Sequence, residues 1–244
     1  MTTSNLTRLL ANKRPWTPTC GVDESVRQGA EDALGRALAL RVLELPVGDW
    51  VLQGESRDRD RLTAEMKMAL LQNAADEQRH DTALDMAVRC YRVTTAQHDA
   101  DAASLAAEWI AHGDHPIVKA AVIECSIFFA LLPMFRFLGG PSLRTISRDI
   151  SGDEAVHVVV NTQISAHLGY GWSRSLDQLR ARTIEWVVDD LKGSGKWFQP
   201  ETWRASSEQL LHEGRASLLT ETKAAVMPAF FELPGSALPK YSYS

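Results

Sequence analysis

Cysteine is scarce. Cys20, Cys90 and Cys125 are too few and too widely spaced for a disulfide framework. No CxxC pair occurs, which argues against a thiolate zinc site. Glycine (15) and proline (10) are too infrequent among 244 residues for a fibrous or disordered chain. Alternating apolar runs bounded by Asn-Gly or Asp-Gly turns are absent, so strands are not expected. There is no excess of positive charge: the net charge is −5 and the pI about 5.8, so neither nucleic acid nor an anionic membrane is expected as a partner. Residues 1–14 lack a hydrophobic stretch of signal-peptide length. The most apolar run, 120–132, contains Glu124 and is too short to span a bilayer. A cytoplasmic, reducing location is therefore expected. What the chain does have is core material: 45% of it is hydrophobic and 23% charged.

The pattern along the chain predicts an all-α protein. Residues 1–22 read as an extended N-terminal arm, with Pro15, Pro18 and Gly21. Asp23 reads as an N-cap for a helix reaching Leu45, which Pro46 and Gly48 would stop. A loop with Trp50 would follow, then a long helix over 60–91, a polar connection over 93–101 and a short helix over 102–112. Asp114 and Pro116 restart the chain into an apolar helix to Phe137, kinked at Pro133. The next helix, over 142–168, ends at Gly169. Further helices are predicted near 174–192 and 205–227. Residues 23–232 thus read as a single helical domain, with a flexible tail over 233–244.

The chemistry lies in a repeated motif. Asp76-Glu77-Gln78-Arg79-His80 and Asp153-Glu154-Ala155-Val156-His157 are both Asp-Glu-x-x-His, each within a long predicted helix. Residues three apart share a helix face. Glu77 and His80 continue the core-facing stripe of Leu70, Asn73 and Leu84; Glu154 and His157 continue that of Leu143, Ile146, Ile150, Asn161 and Ile164. A buried, unpartnered carboxylate is costly or becomes protonated. Two such pairs on core faces need a common reason, and two shared metal ions supply it. Glu-x-x-His from each of two helices, with one Glu from each of two more, is a known dinuclear ligand set.

That set requires two further carboxylates. Glu124 is the one charge between Lys119 and Arg136. On the first helix Glu44 continues the face of Ala30, Ala33, Ala37 and Leu40; Glu31 is the rival, if the helix ran through Pro46. Glu44 precedes Glu77 by 33 positions and Glu124 precedes Glu154 by 30, each a fit for two antiparallel helices and their connection. A ligating imidazole commonly gives its other N–H to a carboxylate. Asp76 and Asp153 are placed to accept, each from the histidine of the opposite motif, with Arg79 pairing one of them. Surface or capping roles are expected for His98, His112, His115, His167 and His212. An apolar wall of Leu84, Phe128, Phe129, Leu131 and Phe135 would exclude water or line a substrate pocket.

These residues resemble the ferritin-like superfamily of di-iron carboxylate proteins. Within it, the segment from Ile146 to His157 is similar to the Arg-Asp-Glu-x-x-His helix of ribonucleotide reductase small subunits. The resemblance covers about residues 25–168. It implies a ferritin-like four-helix bundle, a metal bundle over about 23–169 and additional C-terminal helices over about 173–228. Glu44, Glu77, His80, Glu124, Glu154 and His157 would hold an Fe/Fe or Mn/Fe pair, with dioxygen as co-substrate. It favours Glu44 over Glu31, because the family's first ligand stands just before a helix end. Asp153 would link a ligand histidine to a tryptophan on an electron path, with Trp50 as the candidate. The family's radical tyrosine is replaced by Leu84, which points to an oxidase or oxygenase of a small organic substrate. A radical-generating small subunit or a non-catalytic metal bundle are the alternatives. The tail contains Tyr241 and Tyr243, and reductase tails carry a relay tyrosine, but Tyr-Ser-Tyr-Ser reads first as a plain flexible tail. The expected partners are a small-molecule substrate, a reductase or large subunit, and a second copy of the chain in a homodimer.

Overall fold

The computed structural model describes residues 4–21 and 25–214. All regular structure among them is helical. In chain order the helices are α1 (Ser4–Ala11), α2 (Glu31–Ala39), α3 (Glu44–Arg57), α4 (Ala64–Tyr91), α5 (Ala96–Ala111), α6 (Pro116–Val122), α7 (Phe129–Leu138), α8 (Pro141–Leu168), α9 (Arg174–Val188) and α10 (Pro200–Glu213). The segment Ile123–Phe128 between α6 and α7 is π-helical and makes one continuous rod of them.

Four long elements form the central bundle. α3 packs on α4 and α6, and α8 packs on α4, α6 and α7. α1 lies against α4 and α8; α9 and α10 cover the π segment. The rod from Pro116 to Leu138 is long and apolar enough to cross a membrane, longer than the run of 120–132 suggests, but 89% of its most apolar window is buried in the bundle. Thr63 caps α4 by accepting from the Met66 N–H at 3.2 Å, and Gly169 ends α8 in the left-handed region (φ 76°).

Several boundaries differ from the sequence reading. Residues 4–11 are helical rather than extended, with Leu6 and Leu9 buried. α2 begins at Glu31; the proposed cap Asp23, the end of the helix expected over 205–227 and the tail with Tyr241 and Tyr243 lie outside the described residues. Pro46 and Gly48 do not stop the chain. Leu40–Leu43 tighten into a 3-10 turn, and α3 restarts at Glu44. Pro46 then falls in a first turn, where its missing N–H is not needed. Gly48 and Gly54 are close-approach positions. A Cβ at Gly48 would lie 3.3 Å from Glu77 Cβ, and one at Gly54 would lie 2.2 Å from Ile117 Cγ1. Their helix penalty of about 1 kcal/mol each is exchanged for tight α3–α4 and α3–α6 packing. Trp50 is therefore helical, not in a loop.

Candidate metal centre

The bundle brings Glu44 from α3, Glu77 and His80 from α4, Glu124 from the π segment, and Glu154 and His157 from α8 to one place. All six are 2% exposed or less. His80 Nδ1 lies 3.2 Å from Glu154 Oε1, 3.4 Å from Glu77 Oε2 and 3.7 Å from Glu44 Oε2. His157 Nδ1 lies 2.9 Å from Glu77 Oε1, 3.6 Å from Glu154 Oε2 and 3.8 Å from Glu124 Oε1. Glu77 and Glu154 thus turn one oxygen toward each histidine, while Glu44 and Glu124 each serve one. The two imidazole centroids are 5.6 Å apart.

The polar atoms that converge here have no hydrogen-bond partner: Glu44 Oε2, both Glu77 oxygens, His80 Nδ1, Glu124 Oε1, both Glu154 oxygens and His157 Nδ1. Buried polar atoms are nearly always satisfied, so this many at one point indicates a missing partner. Carboxylate and imidazole together suit iron or manganese. This buried Glu/His group resembles a di-metal site and could bind two ions. Glu31 is not part of it. Although the helical path does run through Pro46, Glu31 sits at its far start and accepts from the Gly29 N–H at 2.7 Å.

Protons stand in electrostatically when no ion is bound. Burial raises Glu44 well above the usual carboxylate range, against its contact with His80, and the charges of Glu77 and Glu154 add to the rise. Burial likewise raises Glu124, assisted by Glu154. Glu77 moves down, because His157 and His80 outweigh its burial. Burial alone would lower His80, but contacts with Asp153, Glu154, Glu44 and Glu77 raise it well above its ordinary value. Burial and Lys13 oppose a raised His157, but Glu154, Glu77 and Asp76 prevail.

The outer ring nitrogens meet the motif aspartates crosswise. His80 Nε2 lies 3.3 Å from Asp153 Oδ2, and His157 Nε2 lies 3.1 Å from Asp76 Oδ2. Arg79 bonds to Asp76 and reaches Asp153 at 3.1 Å. The tryptophan on Asp153 is Trp16, not Trp50. Its Nε1 donates to Asp153 Oδ2 at 2.8 Å, its ring stacks on His80 at 6.1 Å, and Arg79 lies over it. Trp50 instead packs on Trp109 and Lys119.

Lys13 completes the ring. Its ammonium pairs with Asp76 and lies 3.6 Å from Asp153 Oδ1 and 3.5 Å from His157 Nε2. The two halves therefore differ: an indole backs the His80 side and an ammonium the His157 side. Lys13 and Trp16 were not singled out in the sequence, because Lys13-Arg14-Pro15-Trp16 carries no periodicity. Lys13→Met leaves buried carboxylates short of one cation, so it should cost roughly 3 kcal/mol, read by thermal unfolding of the metal-free chain.

Glu124 owes its aim to the π turn, which inserts a residue into the helix; such turns recur at functional sites. Glu124 Oε2 accepts from Asn161 Nδ2 at 2.6 Å. The apolar wall forms only in part. Leu84, Phe128, Leu131 and Phe135 line a cavity of about 10 Å³ beside Glu44, with room for about one water-sized molecule and not for an organic substrate. Among the other histidines, His98 caps α5 with Thr95, whereas His115 is buried against Tyr170. Asp177, Glu208 and His212 also approach one another, but Arg180 already pairs with both carboxylates. Comparison of the chain with protein-family models, curated proteins and solved structures returns no match.

Proposed function

We propose that this chain is a dinuclear non-haem metal oxidoreductase, Fe/Fe or Mn/Fe, that activates dioxygen and acts as an oxidase or oxygenase on a small organic substrate. The observation that carries the reading is the convergence of unpartnered Glu and His atoms in a buried layer, with two carboxylates shared between two histidines. His80, Glu44, Glu77 and Glu154 would hold one ion; His157, Glu124, Glu77 and Glu154 the other. When bound, the pair would supply the electrons that reduce dioxygen. The chain's own residues set the conditions. Asp153 and Asp76 orient the two imidazoles through their outer nitrogens. Leu84, Phe128 and Leu131 give the Glu44 side an apolar wall around a pocket of about 10 Å³.

A second reading rests on Trp16. Its hydrogen bond to Asp153, which in turn meets His80, resembles the aspartate-linked path that small subunits of ribonucleotide reductases use for electrons. On that reading the metals, rather than a tyrosine, would store the oxidising equivalent, since Leu84 stands at the tyrosine position. Anaerobic loading with Fe(II), Mn(II) or both, followed by oxygen exposure and spectroscopy, separates the readings. Oxygen consumption with rapid return to a diferric resting state is expected. A long-lived oxidised Mn/Fe state would favour the radical store, and a loaded chain that consumes no oxygen would leave only a metal-binding bundle.

A further inference from the structure

The metal layer has a second neighbour that neither function uses. The contacts Glu77–His157 and His80–Glu154 fix α4 and α8 as antiparallel at this level. One helical turn outward from Glu77 on α4 is Asn73; one turn outward from His157 on α8 is Asn161. Both therefore stand at the same end of the layer, the end where Glu124 meets Asn161. Both are fully buried at 0% exposure. Asn73 Nδ2, Asn73 Oδ1 and Asn161 Oδ1 have no hydrogen-bond partner, although a carboxamide offers two donors and an acceptor. Asn161 is accounted for in part by its bond to Glu124, but a leucine at Asn73 would fill similar space without that cost, so this amide implies a polar guest.

We propose that Asn73 and Asn161 form a buried binding site for a hydroxyl-type guest, beside Glu124 and away from the apolar Leu84 and Phe128 side. The unmatched atoms include both a donor and acceptors, so the guest must donate and accept. Water and the hydroxyl of an organic substrate share that chemistry. The site gives the centre one polar face and one apolar face. Only its placement beside a metal pair rests on the proposed function; the Asn73 amide requires a guest in the metal-free chain too.

The test is an experimental structure of the full-length chain, metal-free and metal-loaded, with and without ethanol as probe. An ordered oxygen within hydrogen-bond distance of both Asn73 and Asn161 is expected. If ethanol replaces it, the site takes organic hydroxyls; if water persists at saturating ethanol, water is the resident. Asn73→Leu should remove the guest and leave the metal content unchanged. Direct bonding of the two amides to each other, or a guest that persists unaltered in Asn73→Leu, overturns the proposal. A chain that holds the guest but binds no metal would overturn the metal reading alone.

Discussion

Glu154→Ala is expected to release both metal ions, whereas Glu124→Ala is expected to release one. The difference follows from how the oxygens are shared. Glu154 Oε1 faces His80 and Oε2 faces His157, so on the proposed arrangement its loss would remove a ligand from each ion at once. Glu124 reaches only the His157 side, at 3.8 Å. Glu44→Ala should mirror Glu124→Ala on the His80 side. Metal content after desalting checks this, with helicity by circular dichroism as the control for folding. The apolar core of α3, α4 and α8 is untouched by these changes, so helicity should be retained. A Glu154→Ala chain that keeps both ions would remove the basis for a shared carboxylate.

The metal-free chain is expected to lose stability as pH rises, and metal should abolish that loss. His80, His157, Glu44 and Glu124 all have raised folded-state pKa values. A raised value means the fold favours the protonated group. Its stabilisation is complete below the unfolded pKa and disappears as pH climbs through the folded one. Glu77, Asp76 and Asp153 are lowered, and their contribution is lost only toward acid. Above the ordinary histidine value of about 6.5, each proton that the fold retains and the unfolded chain has shed lowers stability by about 1.4 kcal/mol per pH unit. For a chain of this size that is ~2–4 °C of melting temperature per kcal/mol. Bound ions displace those protons, so metal affinity should rise over the same window. Melting curves across pH, with and without Fe(II), read both effects; a metal-free chain indifferent to alkaline pH would contradict them.

The buried Glu/His group was legible in the sequence because helical periodicity determines which residues share a face. Glu77 with His80 and Glu154 with His157 could be placed from spacing alone, and Glu124 stood out as a charge in an apolar run. Glu44, and not Glu31, stands near the histidines, but it opens α3 rather than closing a helix. Proline and glycine were read as breakers because a 3-10 turn and a close helix contact have no local signature. The π turn at Glu124 was invisible for the same reason. The arm was illegible because Lys13 and Trp16 act through long-range contacts to Asp76 and Asp153. Asn73 and Asn161 do stand on the core stripes, one turn outside the two motifs, but a single asparagine carries no charge or spacing that marks it as part of a site.

Metal stoichiometry of the purified full-length chain is the most direct test. After anaerobic incubation with Fe(II) or Mn(II) and removal of free ion, two ions per chain are expected, falling to none in Glu154→Ala. A folded chain with its helicity intact and no affinity for either metal would contradict the assignment of the buried Glu/His layer as a dinuclear centre.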